Sequence, residues 1–236
     1  MTVIQSQYFY LATLIPAILL SMWAQFRVRN TFNKYGEVVN SRRITGAQAA
    51  RAVLDANGLQ HVDIVPTRGF LTDHYDPRTD TIALSEGVYN GISVAAIGVA
   101  THEVGHAIQF NTNYVPVKVR NALVPVVSLT SKASPYLILI GLVLYASSNV
   151  SFGWYLALAG VIFFALSTLF HLVTLPLELN ASNRAKKQLG EVLAIDNQEL
   201  KGVRKVLSAA ALTYLSALIV SLLNLLRLIG MLGRKR

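Results

Sequence analysis

Residues 133–177, ASPYLILIGLVLYASSNVSFGWYLALAGVIFFALSTLFHLVTLPL, run for 45 positions without an Asp, Glu, Lys or Arg. One membrane span needs about 20 apolar residues, so this run is long enough for two. Ser147, Ser148, Asn149 and Gly153 supply turn chemistry near its middle. The run therefore reads as a transmembrane helical hairpin, because a buried core helix of a soluble domain does not need that length.

Working outward, residues 206–226 add 21 more positions without an acidic or basic side chain, which reads as a further span. Residues 1–26 also lack Asp, Glu, Lys and Arg, and residues 8–24 suffice for a short span. A cleaved signal peptide would carry its basic residues before the apolar run; here Arg27 and Arg29 follow it. The N-terminal segment is therefore expected to be an uncleaved anchor. The whole chain is 53% hydrophobic and 14% charged, with mean hydropathy +0.46, against roughly 25% charged for ordinary soluble domains. The fold class expected is a mostly α membrane protein, with about four transmembrane helices and a small α+β domain.

The net charge of +9 does not point to nucleic acid. Arg27, Arg29, Lys118, Arg120, Arg204 and Lys205 flank apolar runs, as juxtamembrane cations do when they meet anionic headgroups and set topology. By that rule residues 27–132 and 178–205 are cytoplasmic. Four spans would leave the basic tail on the far side, a conflict that an interfacial helix at the C-terminus would resolve. The expected divisions are an anchor at 1–26, a polar domain at 27–132, the hairpin at 133–177, a polar segment at 178–205, and a C-terminal span with its basic tail at 206–236.

Within 27–132 the pattern changes to that of a small mixed domain. Residues 45–57 read as a helix, with Thr45 at its start and Gly58 at its stop. Residues 61–66 alternate like a strand. Residues 69–73 and 81–84 look like a hairpin around Asp76-Pro77-Arg78-Thr79-Asp80. The hairpin of residues 69–84 is expected to take an extended substrate as an added strand, with Ile82 and Ala83 as the positions to probe if their strand is the edge. Ser93 then opens a helix running to about Phe110.

That helix contains Thr101-His102-Glu103-Val104-Gly105-His106, an H-E-x-x-H motif. Residues four apart share a helical face, so His102 and His106 can reach one metal ion, while Glu103 beside them can act as general base; the small α+β domain at 27–132 is therefore expected to be a zincin-like catalytic domain. The chain has no cysteine, which excludes disulfides, thiolate zinc sites and cysteine nucleophiles. One Zn²⁺ per chain, held by His and carboxylate, is the expected cofactor. A hydrolytic zinc needs a third protein ligand and an open position. Ala107, Ile108, Gln109, Phe110, Asn111 and Thr112 offer no third histidine at short spacing, so the ligand must come from farther away. Glu178, the first charge after the long apolar run, is the leading candidate. His171 lies seven residues earlier, on roughly the same helical face, and as an ionisable group in a span is a candidate cavity or supporting residue. Asp73 and His74 are weaker candidates for touching substrate or a second cation, and His61 reads as an ordinary strand residue.

The segments Leu71-Thr72-Asp73-His74-Tyr75-Asp76-Pro77, Leu84-Ser85-Glu86-Gly87-Val88-Tyr89 and Thr101-His102-Glu103-Val104-Gly105-His106-Ala107-Ile108-Gln109 resemble the YugP-like neutral zinc metallopeptidases of bacterial membranes, over nearly the whole chain. That family is similar in layout to the HtpX-like membrane peptidases. The resemblance implies His102, His106 and Glu178 as ligands, Glu103 as base, and a location in the bacterial cell membrane. In such families an aspartate follows the glutamate shortly; here the nearby positions are Asn180 and Ser182, so the groups behind the ligands differ. The activity expected is metal-dependent endoproteolysis of membrane or membrane-proximal proteins. The expected partners are a protein or peptide substrate and the lipid bilayer, with a second copy of the chain or another membrane protein as further candidates and nucleic acid excluded. The alternatives are a non-catalytic membrane scaffold with a structural metal site and, more weakly, a small transporter using His171. Glu103 speaks for the enzyme, because a structural metal site has no use for a base.

Overall fold

The computed structural model describes the backbone of residues 3–147 and 150–233 and the side chains of 14–147 and 151–233. It is mostly helical, with one small sheet. The elements in order are α1 (Val3–Gly36), α2 (Gly46–Ala56), β1 (Asp63–Thr67), β2 (His74–Asp76), β3 (Thr81–Ser85), α3 (Glu86–Tyr89), α4 (Val94–Asn111), α5 (Val115–Ala146), α6 (Val150–Glu191) and α7 (Asn197–Gly233).

The chain forms two compact units. The first comprises residues 1–23, 118–175 and 214–236, and the second 24–117 and 176–213. Three helices among the described residues are long and apolar enough to cross a membrane, namely α5, α6 from Ser151 onward, and α7. Most of the side chains in their most apolar windows are not covered by the protein itself, as expected of surfaces that face lipid. The expected first span falls within α1, and the side chains of its residues 8–13 lie outside the described residues, as do Ser148 and Asn149 of the expected turn and the basic tail 234–236. Within the first unit small residues let helices approach closely, the usual device where lipid removes any hydrophobic drive between helices. A side chain at Gly141 would run into the backbone of Ala157, and one at Gly160 into Ile138 and the Ser134 carbonyl. Ser134 Oγ donates to the Gly160 carbonyl at 2.8 Å, and Thr168 and Ser221 share a hydrogen bond at 2.7 Å.

The second unit has a conventional core. Val53 and Leu54 of α2, Ile82 and Leu84 of β3, Ile97 and Val104 of α4, Leu189 of α6 and Val203 of α7 meet in one buried cluster. Helix α2 starts where its sequence says it should. The Thr45 hydroxyl accepts from the Gln48 N–H, and the Gln48 side chain accepts from the Thr45 N–H, a capping box that satisfies two otherwise orphaned donors. Gly58 follows its end at φ +73°, a conformation that costs glycine nothing.

The sheet corrects two expectations. Its order is β1-β3-β2, with β1 parallel and β2 antiparallel to β3. The first hairpin arm is His74–Asp76 and not residues 69–73, which form a tight loop with Gly69 at φ +110° and Leu71 at φ +55°. Strand β3 is central, and Ile82 and Ala83 are buried with partners on both sides. A substrate cannot add to a strand whose two edges are already paired. The free edges belong to β1 and β2, and β1 contains Pro66, which has no N–H to offer a further strand.

Candidate metal centre

All the groups of the site come from α4 and α6. Ser93 caps α4, its hydroxyl accepting from the Ala96 N–H at 3.1 Å. The first turns of α4 bury Val94, Ala95, Ala96 and Ile97, which fixes the helix in the core and turns His102 and His106 to one side. Opposite them, Glu178 of α6 is buried at 6% exposure. Its Oε2 lies 3.3 Å from His102 Nε2 and 3.5 Å from His106 Nε2. The three donor atoms lie within 4.8 Å of one another, and they form the one cluster of His and acidic side chains among the described residues able to hold a metal ion.

A charge-assisted N–H···O bond is roughly 2.7–2.9 Å long, and both contacts are longer. Donors placed tetrahedrally at about 2.0–2.1 Å from a zinc ion sit about 3.3 Å apart. The two nitrogen–oxygen distances of 3.3 and 3.5 Å are close to such an edge, so the three residues could hold a metal ion. Two imidazoles and one carboxylate are also a donor set that zinc accepts, with room for a fourth position.

The histidines are supported from behind. His102 Nδ1 meets Ser182 Oγ at 3.2 Å, and His106 Nδ1 donates to Gln109 Oε1 at 3.0 Å. Glu103 is buried at 7% exposure. Burial pushes its carboxyl above the usual range, the imidazoles of His102 and His106 pull it back, and the charges of Glu178 and Asp73 push it up again. The net direction is upward, as suits a group that must take up a proton near neutrality.

The x-G of the motif has a spatial reason. A Cβ at Gly105 would sit 2.6 Å from the Ala181 carbonyl oxygen, so α4 and α6 approach as closely as they do only because residue 105 has no side chain. Gly105→Ala should force the two helices apart, cost about 1–3 kcal/mol of stability, and weaken zinc binding by spreading the ligands. A thermal melt and a zinc titration of the variant check this; unchanged values would show that the close approach is unimportant.

Other candidate residues fall elsewhere. His171 is half-buried in the first unit, edge-on to Phe170. His61 is exposed, and so is His74, whose Nδ1 lies 2.9 Å from the Thr72 carbonyl. Asp73 accepts from the Ser85 N–H at 2.8 Å and from its hydroxyl at 3.0 Å, closing the loop before β2, and burial raises its carboxyl above the usual range despite those bonds. Gln109, wholly buried, was not singled out from the sequence. Its spacing of three from His106, on the same helical face, was the available signal.

Residues 10–233 match the family described as "Putative neutral zinc metallopeptidase". The chain is 47% identical over 215 residues to the "Putative membrane protease YugP" of Bacillus subtilis (strain 168), covering 91% of this chain and 92% of that protein. No solved structure matches it. With nearly the whole length matched on both counts, this chain belongs to the neutral zinc metallopeptidase family so described.

Proposed function

We propose that the protein is a zinc-dependent membrane endopeptidase of the H-E-x-x-H type, hydrolysing peptide bonds in membrane or membrane-proximal proteins. The observation that carries this reading is the clustering of His102, His106 and Glu178, with donor atoms within 4.8 Å of one another and Glu178 Oε2 at 3.3 and 3.5 Å from the two Nε2 atoms, beside a buried carboxyl, Glu103, next in sequence to His102. His102, His106 and Glu178 would hold one zinc ion per chain. When bound, zinc supplies Lewis acidity, polarising the scissile carbonyl and lowering the pKa of water. Glu103 takes the proton of the attacking water and returns it to the leaving amine nitrogen. The family assignment and the relative described as a membrane protease support proteolysis. The scaffold alternative has no feature that calls for a buried carboxylate at position 103.

The test is reversible metal removal. A chelator should abolish hydrolysis of an unfolded protein substrate by the detergent-purified chain, and stoichiometric zinc should restore it. Hydrolysis that survives complete zinc removal would rule the reading out.

We further place the second unit on the cytoplasmic side of a bacterial membrane, with α1 as a fourth span; this rests on Arg27 and Arg29 following the first apolar run. The chain has no cysteine, so a single Thr79→Cys in the exposed turn before β3 is a clean reporter. An impermeant thiol reagent should label it only after the cells are opened. Labelling in intact cells would reverse the topology.

A further inference from the structure

We infer that Gln109 is a positioning residue that fixes which ring nitrogen of His106 carries the proton, so that His106 is preset to bind metal through Nε2 before any metal arrives. The inference rests on the zinc reading above only for its consequence; the tautomer itself follows from hydrogen-bond inventory.

The Gln109 side chain is wholly buried at 0% exposure, so its amide must find partners inside the protein. An amide oxygen only accepts, and an amide nitrogen only donates, twice. One neighbour is the Leu177 backbone carbonyl at 2.8 Å, which cannot donate. The amide face turned to Leu177 must therefore be Nε2. Its second hydrogen goes to Asn180 Oδ1 at 2.9 Å. That oxygen also accepts from Arg184 Nε at 2.8 Å, and a guanidinium cannot accept. The chain is thus pinned at both ends by groups whose roles are unambiguous, a carbonyl at one end and an arginine at the other. The usual ambiguity of side-chain amides does not arise.

With both Nε2 hydrogens used, the group left to face His106 is Oε1, 3.0 Å from Nδ1. An oxygen that only accepts requires Nδ1 to donate. Neutral His106 must then carry its proton on Nδ1 and its lone pair on Nε2, the atom that faces Glu178 Oε2 at 3.5 Å. His102 differs. Its Nδ1 meets the Ser182 hydroxyl at 3.2 Å, and a hydroxyl can donate or accept. Ser182 therefore does not fix the His102 tautomer; the other partner of that ring is the Glu178 carboxylate oxygen, an acceptor 3.3 Å from Nε2. Of the two histidines, His106 is the one whose tautomer is set by a group behind the ring. The lock also has a geometric consequence. Leu177 is the residue before Glu178, so the same amide that orients the second histidine holds the backbone beside the third ligand.

The experiment is ¹⁵N NMR of the full-length, metal-free protein in detergent, labelled at histidine, at a pH where the imidazoles are neutral. His106→Gln assigns the signal. His106 should show the Nδ1–H tautomer alone. Gln109→Met, similar in length but without an acceptor, should turn His106 into a mixture and weaken zinc binding by about 10–100-fold. Gln109→Glu, protonated so that its hydroxyl donates to the Leu177 carbonyl, keeps an acceptor oxygen facing Nδ1 and should restore the single tautomer. An Nε2–H or mixed His106 in the folded wild type would overturn the inference, and this measurement needs no variant to fold. So would a Gln109→Met protein that keeps both the Nδ1–H tautomer and wild-type zinc affinity. A wild type that shows the locked tautomer yet binds no zinc would instead sink the zinc reading and leave the tautomer assignment standing.

Discussion

Glu103→Gln should fold, retain its zinc, and hydrolyse peptide bonds slower by about 10²–10⁴-fold, the usual loss when a general base is removed. The reasoning is local. Residues 102 and 103 differ by about 100° around α4, so Glu103 is not aimed where His102 and His106 point, and its loss leaves all three candidate ligands in place. Glutamine keeps the shape and removes the basicity. A second effect follows from burial. The Glu103 carboxyl is raised above its ordinary range in the metal-free fold. A carboxyl whose folded pKa is raised favours the fold below its unfolded pKa, and that contribution is lost as pH rises through the folded value. Above that folded value the ionised side chain is therefore a burden on the metal-free fold. Metal-free Glu103→Gln should melt no lower than metal-free wild type, and higher if the shift is large. Parallel assays of kcat/KM, bound zinc and melting temperature check all three expectations. Near-wild-type turnover would remove Glu103 from the chemistry.

Much of the second unit was legible in the sequence because its signals are local. Thr45 with Gln48, Gly58, and Ser93 before an apolar run mark helix ends by side-chain hydrogen bonds or backbone conformations that act within a few residues. The grouping of His102, His106 and Glu178, which could hold a metal ion, was legible for a related reason. The two histidines are a helical turn apart, and Glu178 stands out because it is the first charge after 45 uncharged residues. The sheet was harder. The pairing of β1 with β3 is parallel and non-local, and alternation along a strand says nothing about which neighbour it takes. The shift of the hairpin arm from 69–73 to His74–Asp76 depends on positive φ at Gly69 and also at Leu71, a residue whose type gives no hint of it. Gln109 offered only its spacing from His106 as a signal. A glutamine late in a helix reads as a solvent-facing residue until the carbonyl of Leu177 and the side chain of Asn180, some 70 residues away in sequence, are brought against it.

The other large effect concerns the ligands themselves. Removing His106 or Glu178 takes away one of three protein donors. It also leaves the remaining charge or imidazoles facing a gap in a buried site. Altering groups behind a metal ligand already costs about 10–100-fold in affinity, so losing a ligand should cost on the order of 10²-fold or more and take activity with it. His106→Ala is the less ambiguous of the two in chemistry, because the H-E-x-x-H spacing commits it. Glu178→Ala is the more informative, because its assignment depends on α6 packing against α4 at Gly105, and a zinc held by the two histidines and some other group would not notice its loss. Elemental analysis of zinc in wild type, His106→Ala and Glu178→Ala, purified identically and dialysed against the same weak chelator, is therefore the most direct test. The account expects about one zinc per chain in the wild type and little in either variant; a full complement of zinc in Glu178→Ala, with His106→Ala depleted, would contradict it.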